Sequence, residues 1–504
     1  MTTSLWQKIE LSKFKPLDRD ARTDACIVGG GIAGLTAAYH LLKAGHSVIV
    51  LDMDALGKGQ TSKTTAHLTW VLDDRYYDLE RIFGEEGAKL AAESHAAAID
   101  AIEKIVRDEE ISCDFKRVDG YLFLAPEDKP ELLQKEFRAI NKFNTNVMQH
   151  SFTPLGDKFK NVPCLQVPNQ AEFHIHKYLK GLIGAILKMG GHIYTETKVI
   201  EVNDGLVKTE NGHQIACEAT IVATCTPIND RYFIHTKQAA YRTYVVAGLI
   251  PQENAPQGIF WDTPDPYHYI RTQTCEEDPN QVWLLVGGED HKVGQEKDCA
   301  TCFEVLEGWA KAHFPTLKEI QYRWSGEVFE PVDSLAFIGK NPGNDKVYIC
   351  TGDSGNGITH GTIAGLLLPD LILGKANSWQ KIYEPSRKSL KTLGTYLEEN
   401  SNTAWQYLDW LTPGENKQIE DMKKEEGILI REGIHKIAVY KDAQGKIHYH
   451  SAFCPHLGAC VQWNNAEKSW DCPAHGSRFD GCGKVLNGPA FTNLSSCQSS
   501  AAHH

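Results

Sequence analysis

Asp24-Ala-Cys-Ile-Val28-Gly29-Gly-Gly31-Ile32-Ala-Gly34-Leu-Thr-Ala-Ala-Tyr-His-Leu-Leu-Lys-Ala44-Gly-His-Ser47-Val-Ile-Val-Leu51-Asp52 decides the fold of this chain. Asp24 to Val28 reads as a buried strand, Ile32 to Ala44 as a helix, and Ser47 to Leu51 as the next strand, a β-α-β unit. Between first strand and helix lies G-x-G-x-x-G, as Gly29, Gly31 and Gly34. The first glycine makes the tight turn and the second lets backbone approach a pyrophosphate. The third lets helix and strand pack closely, with the phosphate at the helix N-terminus. Asp52 ends the second strand, where a carboxylate accepts hydrogen bonds from a ribose hydroxyl. The strand, the helix and the acidic strand end together turn a weak motif into a dinucleotide site.

Further along, residues 86–108 and 177–189 carry helical periodicity. His192 to Val202 alternates like one strand, Asn211-Gly212 marks a turn, and Ala219 to Ala223 reads as a second buried strand. Residues 238–290 are strand-rich, and helices return at Cys302–His313 and Thr362–Leu373. After about residue 395 the composition shifts. Leu411-Thr-Pro-Gly-Glu-Asn-Lys is turn-rich and Ile419 to Glu426 is charged, which suggests a linker over 396–425. Beyond it, Gly427–Arg431, Lys436–Tyr440 and Ile447–His450 are short strand-like pieces of a small all-β module. The polar end, Ser495 to His504, is expected to carry no chemistry.

That module holds Cys454-Pro-His456-Leu-Gly458 and Cys472-Pro-Ala-His475-Gly476-Ser477. Two Cys-plus-His pairs in such loops form the ligand set of a Rieske [2Fe–2S] cluster, two thiolates on one iron and two imidazoles on the other. Cys₂His₂ also suits zinc. The two short loops, each with a following glycine, favour the cluster.

The chain has 504 residues, 42% apolar and 23% charged, enough for two or three domains of a soluble globular protein. A net charge of −13 argues against nucleic acid or an anionic membrane as main partner. No run of apolar residues is long enough for a membrane span, and Met1-Thr-Thr-Ser-Leu-Trp lacks a signal-peptide pattern. The fourteen cysteines, mostly scattered in apolar surroundings, read as reduced thiols of a cytoplasmic protein. Only one dinucleotide fingerprint is present; Gly355-Asn-Gly357-Ile-Thr-His-Gly361 has the wrong third spacing. One fingerprint beside an iron–sulfur centre favours FAD over NAD, because a flavin accepts a hydride and releases single electrons.

Here the chain resembles the glycine/D-amino-acid oxidase (DAO) family of FAD oxidoreductases, especially the bacterial branch with a C-terminal Rieske domain. The resemblance rests on Gly57-Lys-Gly-Gln-Thr61-Ser62-Lys-Thr-Thr-Ala-His67, Phe173-His174-Ile-His-Lys177-Tyr178, Trp324-Ser-Gly326, Asp333-Ser-Leu-Ala and Thr351-Gly352-Asp-Ser-Gly355-Asn-Gly357-Ile-Thr-His360-Gly361. It implies a Rossmann-like α/β FAD-binding domain with an interleaved mixed-sheet substrate domain over residues 1–395. An all-β Rieske domain would occupy 412–504. It further implies that Thr61 and Ser62 contact the pyrophosphate region and that Val199 contacts the adenine end. Ala223-Thr224 would lie near the fingerprint, and Gly352, Gly355 and Gly357 would approach the isoalloxazine. No cysteine lies between Cys302 and Cys350, so a non-covalent FAD is expected. Many Rieske domains brace their ligand loops with a disulfide at positions held here by Ala459 and Ala474. A disulfide-free centre is expected, with a Cys460–Cys482 bridge as the alternative.

The same resemblance implies oxidation of an amine or amino-acid C–N bond, with electrons passing from flavin to cluster and on to an external acceptor. Two alternatives stay open: a reductase or oxygen-dependent enzyme fed by a donor protein through the cluster, and a non-catalytic redox sensor or carrier. Candidate substrate residues are His67, His268, Arg271, His291 and His360, with Arg271 suited to clamp a carboxylate bidentately. His174 and His176 are expected to fix a loop.

Overall fold

The computed structural model of the chain describes residues 2–144, 146–229, 234–388, 390–412, 418–433 and 435–497. The expectations for 413–417 and 498–504 lie outside them. The opening β-α-β unit forms as read: strand Ala21–Val28, helix Ile32–Lys43, strand Val48–Leu51. In an eight-stranded sheet, Val347–Thr351, Gln214–Val222, Ala21–Val28, Val48–Leu51 and His192–Tyr194 run parallel in that order. Phe337–Lys340 adds an antiparallel edge.

These strands are continuous apolar runs because both faces are covered. Ala25, Ile27, Val48 and Val50 join the helical core on one face; Cys26, Val28, Ile49 and Leu51 pack with Leu17, Val207 and Ile215 on the other. On the helical side, Ile32–Lys43 lies against Gly357–Ile372. A side chain at Gly365 would meet Thr36 Cβ at 2.4 Å, so only glycine permits that approach.

The stretch His192 to Val202 is two strands, His192–Tyr194 and Val199–Asn203. Between them Glu196 takes φ 49°. The Thr195 hydroxyl donates to Phe14 O, and the Leu17 N–H donates to Thr197 Oγ1. Alternation alone cannot reveal a break whose partners come from an N-terminal segment.

A nine-stranded sheet forms the substrate layer, in the order Tyr322–Pro331, Gln238–Pro251, Gln281–Lys292, Tyr269–Thr274, Ile259–Asp262, Lys116–Phe123, Cys164–Glu172, His67–Leu68, with Met148–His150 beside Cys164–Glu172. Its register shifts between Arg242 and Tyr244, opposite Glu289 (φ 60°) and Asp290. This is a β-bulge, a device that re-aims a side chain.

The C-terminal module is all β. It has a three-stranded sheet, Glu426–Glu432, His435–Lys441 and Ile447–Ser451, and a four-stranded one, Gln462–Asn464, Ser469–Asp471, Arg478–Asp480 and Val485–Asn487. The expected linker begins as a helix, Leu393–Gln406, which bonds both neighbours. Glu399 pairs with Lys292 at 2.7 Å, and the Trp410 indole N–H beyond it donates to Gly458 O at 2.9 Å.

Charge clamps this module onto the substrate sheet. Arg242 Nη2 lies 3.4 Å from Asp471 Oδ2, with side chains only 1% and 2% exposed. Arg478 lies 3.2 Å from the other Asp471 oxygen. Arg242 also donates to Ser325 Oγ, and that hydroxyl donates to Glu467. Burial alone would raise the Asp471 carboxyl, yet Arg478 and Arg242 hold it below its ordinary value. Arg242→Ala would take from Asp471 one of its two guanidiniums and from Glu327 and Glu467 a nearby cation, at a cost of up to about 3–5 kcal/mol. A lowered thermal midpoint in the purified holoenzyme is the expected outcome; an unchanged midpoint would show that the network does not hold the modules.

Candidate active site and cluster site

The fingerprint builds one end of a long cavity. Gly31 caps the helix Ile32–Lys43, so amides of its first turn face the space lined by Gly29, Gly30, Gly31, Thr61 and Asp52. A Cβ on Gly29 would lie 2.3 Å from Ala223 O, and one on Gly34 2.0 Å from Gly29 O. Gly34 therefore acts in packing and does not line the cavity. Thr61 Oγ1 accepts from Ile32 N at 3.2 Å, tying the second loop to the helix start. Asp52 accepts from the amides of Gly30 (2.8 Å) and Asp54 (3.0 Å), and burial pushes its carboxyl up to about 6. Val199 lines the same end.

Ser62 does not. It is fully buried, 2.7 Å from His176 Nε2, and the other nitrogen of that ring lies 2.9 Å from Ile9 O. The expected pyrophosphate contact of Ser62 is thus corrected to a hydroxyl that fixes the loop through His176. His174 also caps a helix, accepting from Lys177 N.

At the far end, Gly352, Gly355 and Gly357 line the cavity just before and at the start of helix Gly357–Ile372. Gly352 and Gly355 have φ 75° and 71°, conformations that favour glycine. A second helix N-terminus thus faces the cavity. Opposite stand Asp73, Asp290, Glu330, Thr243, Trp261, Tyr267 and Tyr269. The Tyr267 hydroxyl donates to Asp73 Oδ2 at 2.5 Å, and Tyr269 OH pairs with Thr243 Oγ1 at 2.6 Å.

The candidate substrate residues divide. His67 and His360 line the cavity. His67 is held by Thr65 Oγ1 (2.9 Å) and Ile270 O (3.3 Å), and burial with the nearby Arg271 pushes it down to about 3. His360 Nδ1 lies 2.8 Å from Asp353 O, and burial lowers the ring to about 4. Both are neutral.

His268 and Arg271 are corrections. His268 alternates with Tyr267 and Tyr269, so it points away; it stacks on Trp309 at 4.1 Å and pairs with Asp262 at 2.8 Å. Arg271 is 1% exposed and spends its donors on the carbonyls of Thr65, Ala66, Phe173 and Thr272 and on Gln273. It ties strand to loop and does not line the cavity. His291 bonds Tyr244 OH and Lys292 O, also outside the cavity. Asp73, Asp290 and Glu330 escaped sequence reading because no motif marks them.

The Cys/His loops converge as expected. In each, the glycine four residues after the cysteine donates to the cysteine carbonyl: Gly458 N to Cys454 O at 2.9 Å, Gly476 N to Cys472 O at 3.0 Å. Both glycines have positive φ, 86° and 78°, which explains a glycine in both loops. The two thiols hydrogen-bond each other. That contact, with the amides of His456 and Leu457 and the Ser477 hydroxyl, holds Cys454 low against its burial, while Cys472 is pushed up. The His456 and His475 rings lie 5.1 Å apart at 87°, and Nδ1 of His475 is buried without a partner. Two facing sulfurs, two facing imidazoles and an orphaned ring nitrogen fit a two-iron cluster. All fourteen cysteines are free; Cys460 is buried and Cys482 exposed, so no bridge joins them.

A family model described as FAD dependent oxidoreductase matches residues 24–371, and one described as Rieske [2Fe-2S] domain matches 412–498. The chain belongs to the FAD-dependent oxidoreductase family. This oxidoreductase is 32% identical over 493 residues to the putative Rieske 2Fe-2S iron-sulfur protein YhfW of Bacillus subtilis (strain 168), across 96% of this chain and 95% of that one. It is 24% identical over 405 residues to gamma-glutamylputrescine oxidoreductase of Escherichia coli (strain K12), across 74% and 90% of the two chains. Glycine oxidase from Geobacillus kaustophilus has the same fold over 73% of this chain and 99% of that one, with TM-score 0.60 at 18% identity.

The oxidoreductase thus binds FAD through its N-terminal part and a [2Fe–2S] cluster through its Rieske domain. The two sites adjoin. Val485 to Phe491 of the Rieske domain line the FAD cavity. His235, from the flavin part, lies 5.0 Å from the His456 ring and 6.4 Å from that of His475. Glu327 forms cavity wall on one side. On the other it bonds Asn487, and a Cβ on Gly476 would stand 2.7 Å from its Oε1.

Gly34→Ala should abolish flavin absorbance while cluster iron is retained, because the clash is with Gly29 backbone; equal flavin content would refute the packing role. Neutral, buried His67 and His360 predict a pH–rate profile between pH 5 and 9 whose limbs survive in His67→Gln and His360→Gln. Loss of a limb would assign that histidine a proton transfer.

Proposed function

We propose that this enzyme oxidises the C–N bond of an amine or amino acid and delivers the electrons through its Rieske cluster to an external acceptor protein. The observation that carries this reading is the shared wall: one chain packs the cluster ligand loop and the segment Val485–Phe491 against the flavin cavity. Bound FAD supplies a hydride acceptor and the Rieske cluster a one-electron carrier.

In this reading the chain's own residues do the rest. Gly29, Gly31 and the helix start at Ile32 hold the pyrophosphate, with Asp52 on the ribose and Val199 at the adenine. The loop Gly352–Gly357 and its helix N-terminus hold the isoalloxazine end. Cys454, His456, Cys472 and His475 hold the cluster. Tyr267, Tyr269 and Trp261 wall the substrate and exclude water, while neutral His67 and His360 keep the cavity's shape. Burial pushes the Asp73 carboxyl up to about 7, which suits it to take a proton from a bound ammonium near neutral pH. Fourteen free cysteines support a reducing compartment, the cytoplasm. No described helix is long and apolar enough to cross a membrane.

Anaerobic mixing with candidate amines tests the reading. The expected result is bleaching of the flavin, followed by the EPR signal of a reduced cluster. Cys472→Ser should keep FAD and its bleaching but lose transfer to an acceptor. Rapid reduction by a ferredoxin, with no reduction by any amine, would overturn the proposed direction of flow.

A further inference from the structure

The inner end of the cavity is anionic in a way that C–N oxidation by itself does not require. Asp73, Asp290 and Glu330 all line it, and Asp73 stands beside Gly355, where a Cβ would lie 2.0 Å from its Oδ2. The bulge at Glu289 turns Asp290 inward, and its Oδ1 is sealed from solvent with no protein partner. Glu330 feels Asp290 and Asp73, and Asp290 feels Asp73, so a bound cation would draw these raised carboxyls into their charged form.

Among the described residues, Arg75 offsets the charge of Asp73, but no Lys or Arg acts on Asp290 or Glu330. Arg75 lies behind Asp73, donating to the carbonyls of Asp262 and Thr263. Arg271 is consumed by loop carbonyls, and Lys63 sends its ammonium to Thr2 O. The remaining walls are Tyr267, Tyr269 and Trp261, rings whose faces attract organic cations.

We propose that this end of the cavity recognises a di- or polyamine without a carboxylate, its non-reacting ammonium held by Asp290 and Glu330. This rests on the amine-oxidation reading. An amine must be neutral to surrender a hydride from its α-carbon, so a monoamine loses its charge when it reacts. A second ammonium keeps its charge throughout and matches the carboxylates at every stage. An α-carboxylate would instead face Asp73 and Asp290 with no guanidinium to receive it, a like-charge juxtaposition that selects against amino acids.

The test reads binding rather than turnover. The holoenzyme is titrated with hexamethonium, a bis-quaternary dication that cannot react, and with alanine and proline, following the flavin absorption spectrum. Hexamethonium should perturb the flavin and compete with diamines, and Asp290→Asn and Glu330→Gln should each weaken it roughly tenfold or more. Unchanged flavin and cluster spectra in the free variants certify their fold. The proposal is overturned if alanine or proline binds more tightly than the dication, or if both variants bind the dication as wild type does. Diamines that bind with this carboxylate dependence yet never bleach the flavin would uphold the recognition and sink only the oxidation reading.

Discussion

The buried ion pair between Arg242 and Asp471, shared with Arg478, is the constraint on which the rest of the molecule depends. Arg478 answers Asp471 from within its own module and Glu327 stands near Arg242 within the other, so the pair across the boundary completes a network begun on both sides. A guanidinium in the middle of the substrate sheet and a carboxylate two residues from the strand-end Ser469 are tolerable in a dry interior only when opposed. Once opposed, they fix the Rieske domain's position without freedom to slide. The adjoining ligand loop follows, because Asp471 immediately precedes Cys472. So does Val485–Phe491, which reaches the cavity at the end of the same small sheet.

The cavity itself is electrostatically divided. One helix N-terminus faces the fingerprint and a second faces the loop at Gly355, partial positive charges suited to an anionic, oxygen-rich cofactor. Beyond the second helix the sign reverses, through Asp73, Asp290 and Glu330. A dinucleotide and a cationic small molecule can therefore share one continuous space with little competition. Each is repelled from the portion that belongs to the other.

How much of this was legible in the chain depended on how local each signal was. The fingerprint and the Cys/His loops are short, self-contained turns whose glycines are demanded by backbone geometry, and both fold as read. His268 misled because an extended run presents candidates on two faces, and composition cannot say which meets the cavity; Arg271 misled because the carbonyls of Thr65, Ala66 and Phe173, distant in sequence, take up its guanidinium. Tyr267 and Tyr269 face it, and His268 stacks behind on Trp309. Asp290 was illegible for another reason. Its direction is set by a bulge whose partner strand lies some fifty residues upstream, and no local pattern announces that. His235 sits in no motif at all and meets the cluster histidines only through the docking of whole domains.

The shared charges also bear on how such a protein can change over generations. A Rieske domain that lacked an acid at the position of Asp471 would take the leading counter-charge from a wholly buried guanidinium. A flavin domain that lost Arg242 would leave Asp471 to Arg478 alone. The two halves are separable by sequence pattern, yet at this boundary a change in one shifts the charge balance of the other.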